Sequence, residues 1–407
     1  MTTAAWLDVP ADHPFGPHHL PYGVFSTAER PEHRVGVRIG DQVLDLAAIA
    51  AATGVEWAGA VAGPTLNGLL GAGAQTWAAV RDWLTAALTD PGRVEEVRGH
   101  VHDLAAATLH LPIAVADYVD FYASEHHATN VGRIFRPDGE ALTPNWKHLP
   151  IGYHGRASTV VVSGTEIVRP CGQRRTPADP APAFGPSTKL DIECELGFVV
   201  GGATELGQRV AVEEADEHLF GVAMFNDWSA RDIQAWEYVP LGPFLGKSFA
   251  SSVAAWVTPL AALEHARVPL TDQTPVPLDY LRGPEHTAYG LDLAMEVRLN
   301  GEVISRPPYR TMYWSPTQML AHLTVNGARL SDGDLFASGT VSGPETDQRG
   351  SLLELTWNGT EPLTLADGTT RAFLEDGDTV TLTATAPGPD GSVIGLAEVS
   401  GTISPAR

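Results

Sequence analysis

The chain has 407 residues, with 49 acidic side chains against 26 basic ones and a net charge of −23. That balance argues against nucleic acid or anionic membrane as the main partner, and the length exceeds one typical core, so two domains are expected. No apolar run reaches the ~18 residues of a membrane span. Met1 to His13 has neither the basic start nor the apolar run of a signal peptide. Only Cys171 and Cys194 are present, and Cys194 sits inside a strand pattern, so a reducing, cytoplasmic setting is expected rather than a disulfide framework.

Residues 1–113 read as a small N-terminal domain. Tyr22 to Ser26 and Arg34 to Leu46 have strand patterns, with Val35, Val37 and Ile39 alternating before a Gly40-Asp41 turn. Ala47 to Ala52 reads as a short helix. A longer helix is predicted from Thr76 to Leu88, where Trp77, Val80, Trp83, Leu84 and Leu88 recur at helical spacing before Asp90-Pro91 stops it. The segment carries no catalytic constellation. From 114 to 407 the chain reads as a second, mainly antiparallel β domain with short helices. Arg174 to Thr188 is a loop or an inserted arm. Asn300-Gly301, Asn358-Gly359 and Asp390-Gly391 signal turns, the Asn-Gly pairs signalling hairpins.

Leu190 to Val200 alternates apolar Ile192, Cys194, Leu196 and Phe198 with Asp191, Glu193, Glu195 and Gly197. On a strand this places Glu193 and Glu195 on one face, where paired carboxylates require a proton or a cation unless water solvates them. Four further segments carry chemistry. Asp120, Tyr122 and His127 fall within eight residues, with Ser124 positioned to cap a helix that starts at Glu125. Ser229 is a candidate cap for a second helix bounded by Pro240, on which Arg231, Gln234 and Tyr238 share a face beside Asp227. Leu241 to Phe249 looks like a phosphate loop but has three residues between Gly242 and Gly246 where the motif needs four, so it reads as a tight loop presenting Lys247. Finally, Ala337 to Pro344 is rich in small residues, and Glu354 lies in a strand-like apolar run where a carboxylate needs a partner such as His.

These segments resemble the fumarylacetoacetate hydrolase family. The resemblance rests on Asp120-Phe121-Tyr122, His127 to Asn130, Asn145-Trp146, Gly152-Tyr153 through Arg156, Glu193-Cys194-Glu195, the unbroken run Asn226 to Gln234, Trp236 to Phe249 and Ala337 to Thr340. Tyr22 to Ser26 fits as well, so it spans nearly the whole chain. Departures are small: His126 stands where Gln is expected, Ser251 replaces Thr, and the Arg174 to Thr188 arm differs.

The resemblance implies a small SH3-like β-barrel followed by a larger mixed β-sandwich or β-roll, in a homodimer. It implies that Asp120, Glu193, Glu195 and Asp227 hold Ca²⁺, with Lys247 and Ser251 near a Mg²⁺ position. An all-oxygen, multi-carboxylate site independently favours Ca²⁺, Mg²⁺ or Mn²⁺ over zinc. His127 is implied as the base, oriented by Glu354. Tyr122, Arg136, Tyr153, Gln234, Tyr238 and Thr340 are implied to hold substrate, and Arg231, Gln234 and Lys247 to donate to an oxyanion. The implied reaction is hydrolysis of a carbon–carbon bond in a small β-diketo acid, at the end of tyrosine and phenylalanine breakdown. One rival is another activity of the same superfamily, such as an acylpyruvate hydrolase, hydratase, decarboxylase or isomerase. A rival of another class is a calcium-binding scaffold, which would need no base.

Overall fold

Val35, Val37 and Ile39, the alternating set, are fully buried on the strand Arg34–Ile39, which turns back through Gln42–Asp45. Asp45 caps the helix Leu46–Thr53 by accepting from the Ala48 N–H. The helix Gly73–Thr89 buries Val80, Leu84 and Leu88, and Trp77 and Trp83 pack against the same core. It starts before Thr76, whose hydroxyl donates back to the Ala72 carbonyl instead of capping. The coordinates, a computed structural model, describe Leu7, Val9, Pro10 and residues 12–407; most of the stretch read for a signal peptide lies outside the described residues.

The chain is mainly β, but the expected SH3-like barrel does not close. Tyr22–Thr27 pairs with Arg34–Ile39, with Ala107–His110 and with Trp256–Pro259. The register Tyr22 to Val257 and Gly23 to Trp256 carries the N-terminal strands into one open sheet with the later ones. That sheet continues through Leu219–Asp227, Cys194–Val200, Leu335–Ala337, Tyr118–Phe121 and Gly152–His154. A second sheet of five strands, centred on Thr379–Pro387 and Val393–Ser404, packs across Leu219–Asp227.

The hairpin expected at Asn300-Gly301 joins Ala294–Leu299 to Glu302–Ser305. Asn358-Gly359 does not make one. Both residues adopt left-handed conformations after the helix Leu352–Leu355, and Asn358 accepts from the Lys189 ammonium. The Arg174 to Thr188 arm includes part of a two-stranded hairpin, Cys171–Arg174 against Ala183–Pro186.

Candidate active site

Neighbouring strands of the open sheet bring the acids to one place. Cys194–Val200 lies between Leu219–Asp227 and Leu335–Ala337, and every one of its residues is buried. It carries Glu195. Tyr118–Phe121 runs parallel to Leu335–Ala337 with Asp120 opposite Ala337, and Asp120 faces Tyr153 across its other edge. Asp227 ends its strand opposite Ser251. The predicted strand is interrupted at Ile192-Glu193, because Leu190–Asp191 pairs away with Ser229–Ala230. Glu193 is therefore delivered from a strand break. One oxygen from each of Asp120, Glu193 and Glu195 still lies within 4.8 Å of the others.

Three carboxylates so close repel one another, by about 4 kcal/mol for a pair at 4 Å and an effective dielectric near 20. Glu193 escapes this through its cations. The Lys247 ammonium bonds to its Oε2, and Arg231 Nη1 lies 2.8 Å from its Oε1. Burial raises the Glu193 carboxyl, but Lys247 and then Arg231 outweigh it and hold the group below the usual range. Asp120 and Glu195 bond to no cation among the described residues, and the nearby Lys247 charge offsets their burial only in part. Burial, followed by the Asp227 charge, pushes Asp120 well above an ordinary carboxyl. Burial, followed by Asp120, Glu193 and Asp227, does the same to Glu195.

Asp227 lies outside the 4.8 Å group, and its oxygens are already bonded. Ser251 Oγ donates to Oδ1 at 2.6 Å, while Tyr153 OH and Lys247 Nζ each donate to Oδ2 at 2.9 Å. Lys247 thus acts in the structure as a cation between Glu193 and Asp227.

His127 occupies a second corner. Ser124 caps the helix Glu125–Phe135 as expected, accepting from the His127 N–H. The His127 ring bonds through Nδ1 to Glu354 Oε2 at 2.7 Å. Glu354 also accepts from Asn130 at 2.9 Å, from Ser342 at 3.0 Å and from Ser351 at 2.8 Å. Burial opposes ionisation of Glu354, but His127 and then Asn130 and Ser351 lower its pKa. Glu354 is not on a strand, as its apolar neighbours suggested. It lies on the helix Leu352–Leu355, whose N-cap is Ser351. The pattern Ser351-Leu352-Leu353-Glu354 carries the Ser-x-x-Glu start signal that identifies such a helix.

Ser229 likewise is not a cap: it lies in Ser229–Ala230, and the helix Arg231–Glu237 follows Ala230. Arg231 Nη1 donates to Gln234 Oε1 at 3.2 Å, and Tyr238 closes the helix. Asp191 is a positioning residue that the sequence did not single out. It accepts from Arg231 Nε at 2.8 Å and from the N–H groups of Leu352 and Leu353, so it ties the Arg231 corner to the helix of Glu354. Its signal was its place in the acidic alternation with Glu193 and Glu195.

These elements enclose a cavity of about 390 Å³. Asp120, Tyr122, His127, Arg136, Tyr153, Glu193, Arg231, Gln234, Tyr238, Lys247 and Thr340, all singled out from the sequence, line it. Glu195, Asp227, Ser251 and Glu354 stand behind that lining. The Tyr122 ring meets the His127 ring edge-on with centroids 5.2 Å apart. Gly339 has φ +75°, and a Cβ there would lie 2.2 Å from the Phe121 carbonyl oxygen, so only glycine brings Thr340 this close.

Several buried polar atoms around this cavity have no partner among the described residues: Asp120 Oδ1, Glu195 Oε1, Arg231 Nη2 and Thr340 Oγ1. Orphaned carboxylate oxygens in a buried cluster are costly unless a cation or proton satisfies them. The all-oxygen donors of Asp120, Glu193 and Glu195 thus fit a hard divalent cation. A larger cavity of about 460 Å³ near Arg209 and Tyr280 has a mixed polar and apolar lining and contains none of these carboxylates.

The sequence model described as fumarylacetoacetase N-terminal matches residues 18–112, and that described as fumarylacetoacetate (FAA) hydrolase C-terminal matches 117–402. Fumarylacetoacetase from Homo sapiens is 46% identical over 99% of both chains. The Arabidopsis thaliana fumarylacetoacetase is 45% identical over 98% of both. Among solved structures, a fumarylacetoacetate hydrolase from Exiguobacterium antarcticum superposes with a TM-score of 0.52 at 18% identity, covering 95% of this chain and 100% of its own. A maleylpyruvate hydrolase from Sphingobium superposes with a TM-score of 0.52 at 17% identity over the same shares. The structural likenesses establish a common fold, and the end-to-end sequence matches establish more: the chain belongs to the fumarylacetoacetase family.

Proposed function

We propose that this chain hydrolyses the carbon–carbon bond of 4-fumarylacetoacetate, giving fumarate and acetoacetate, the last step of tyrosine and phenylalanine breakdown. The observation that carries this reading is one cavity joining a His127–Glu354 pair to the orphaned carboxylate oxygens of Asp120 and Glu195. A base and a cation site together suit hydrolysis and do not suit a calcium-binding scaffold. The end-to-end relatives named fumarylacetoacetase support the choice of substrate.

Glu354 fixes His127 through Nδ1, so neutral Nε2 is the atom that takes a proton from the attacking water. The water adds to the fumaroyl carbonyl. Arg231 Nη2, which has no partner among the described residues, donates to the resulting oxyanion, with the Gln234 amide and Lys247 as further donors. The bond to the acetoacetate carbon then breaks, and the imidazolium holds the proton that this carbon requires. A divalent cation, when bound, supplies the positive charge that favours enolate departure. Arg136 pairs with a substrate carboxylate, and Tyr122, Tyr153, Tyr238 and Thr340 position the rest.

The reading includes Ca²⁺ held by Asp120, Glu193, Glu195 and Asp227, and a Mg²⁺ position near Asp227 beside Lys247 and Ser251. The reading includes a domain division after residue 113, a homodimer and a cytoplasmic setting. Its test is cleavage of fumarylacetoacetate measured beside a simple acylpyruvate. Preference for fumarylacetoacetate is expected, and preference for the acylpyruvate overturns the substrate assignment.

A further inference from the structure

A side lobe of about 110 Å³ adjoins the main cavity. It shares Tyr153, Pro243 and Lys247 with that cavity and adds His154, Arg156 and Ser248. Arg156 precedes the short turn Ala157–Thr159, and its backbone carbonyl accepts from the Thr159 N–H and hydroxyl. Its approach is fixed by Gly155, where a Cβ would lie 2.2 Å from the Tyr118 ring. The exposed guanidinium itself has no hydrogen bond or ion pair among the described residues.

The lack of a carboxylate partner stands out in a chain with 49 acidic residues. Two other cations at the site differ. Arg231 is committed to Asp191 and Glu193, and Lys247 to Glu193 and Asp227. Arg136 gives one nitrogen to the Ala141 carbonyl and pairs with no carboxylate among the described residues. Two guanidiniums, one in each lobe, therefore remain for external carboxylates. The substrate read above carries two carboxylates, one at each end, and a planar guanidinium suits each.

We propose that Arg156 recognises the second substrate carboxylate, the one that Arg136 does not hold, and thereby selects diacids over monoacids. The inference rests on the proposed hydrolysis of fumarylacetoacetate. The side lobe is its binding place, and Tyr153, shared by both lobes, marks the passage between them.

The test compares the unaltered protein, Arg156→Gln, Arg156→Lys and Arg136→Gln on fumarylacetoacetate and on two monoacid analogues, each with a methyl group replacing one terminal carboxylate. Arg156→Gln is expected to lower kcat/KM for the diacid on the order of 10–100-fold, mainly through KM, with partial recovery in Arg156→Lys. The two deletions should not add: on the analogue that lacks the Arg156-bound carboxylate, Arg156→Gln should cost little more. On the other analogue it should cost as much as on the diacid, and Arg136→Gln should show the opposite pattern. Equal losses on both analogues, or none on the diacid, overturn the Arg156 assignment and leave the functional reading standing. Failure of the unaltered protein to cleave fumarylacetoacetate overturns both.

Discussion

Two acidic corners of the same cavity are finished to different degrees. At the His127 corner, Glu354 accepts from the imidazole, an amide and two hydroxyls, and its pKa is lowered despite full burial. At the opposite corner, Asp120 Oδ1 and Glu195 Oε1 are buried without a partner among the described residues, and both carboxyls are pushed upward. Burial acts in the same direction on all of them. The difference is the supply of donors and cations: one corner is complete within the protein, and the other is left with oxygens that a cation from outside could satisfy.

The largest effect is expected at the complete corner. His127→Ala should lower kcat by about 10²–10⁴-fold, the usual worth of a positioned general base. Divalent-cation binding, followed by calorimetry, should survive, because His127 is outside the acidic group. Loss of both in that variant would merge the two corners into one. Glu354→Gln keeps the ring but weakens its orienting acceptor, so steady-state assays should show a loss near the lower end of that range, about 10²-fold.

The incomplete corner makes its own prediction in pH. In cation-free protein, Asp120 and Glu195 keep protons that an unfolded carboxyl releases near pH ~4. The folded state then binds more protons than the unfolded one, so these groups favour folding less as pH rises from ~4 through their raised pKa values. Melting temperatures of chelator-treated protein should show this decline relative to cation-loaded protein, in which both groups are ionised by their ligand. A cation effect that does not grow with pH would remove the contrast between the corners. The smallest change is expected for His126→Gln. Its neighbour His127 carries the Glu354 bond, whereas His126 does not line the cavity, and turnover should be nearly unaltered.

Much of the site was legible because its chemistry resides in residue types at short spacing. Asp120, Tyr122 and His127 lie close in sequence, as do Glu193 with Glu195 and Arg231 with Gln234, and they meet in space. One failure lay in a local signal that was passed over, and the others came from information that is not local. Leu352, Leu353 and Leu355 around Glu354 are compatible with a buried strand or a buried helix turn, and only the Ser351 cap separates the two. The open sheet depends on pairing Tyr22 with Val257, partners too distant for any turn signal to report. Asp191 looked like one more polar position in an alternating strand. Its role appears only once Arg231 and the helix of Glu354 pack against it.

The most direct test of the contrast is calorimetric titration of Ca²⁺ and Mg²⁺ into chelator-stripped protein, in two buffers of different ionisation enthalpy, beside Glu195→Gln. One cation per chain at the acidic group is expected, with protons released on binding and weaker affinity in Glu195→Gln. Unchanged affinity in Glu195→Gln, or binding without proton release, would contradict a cation site built on Asp120, Glu193 and Glu195.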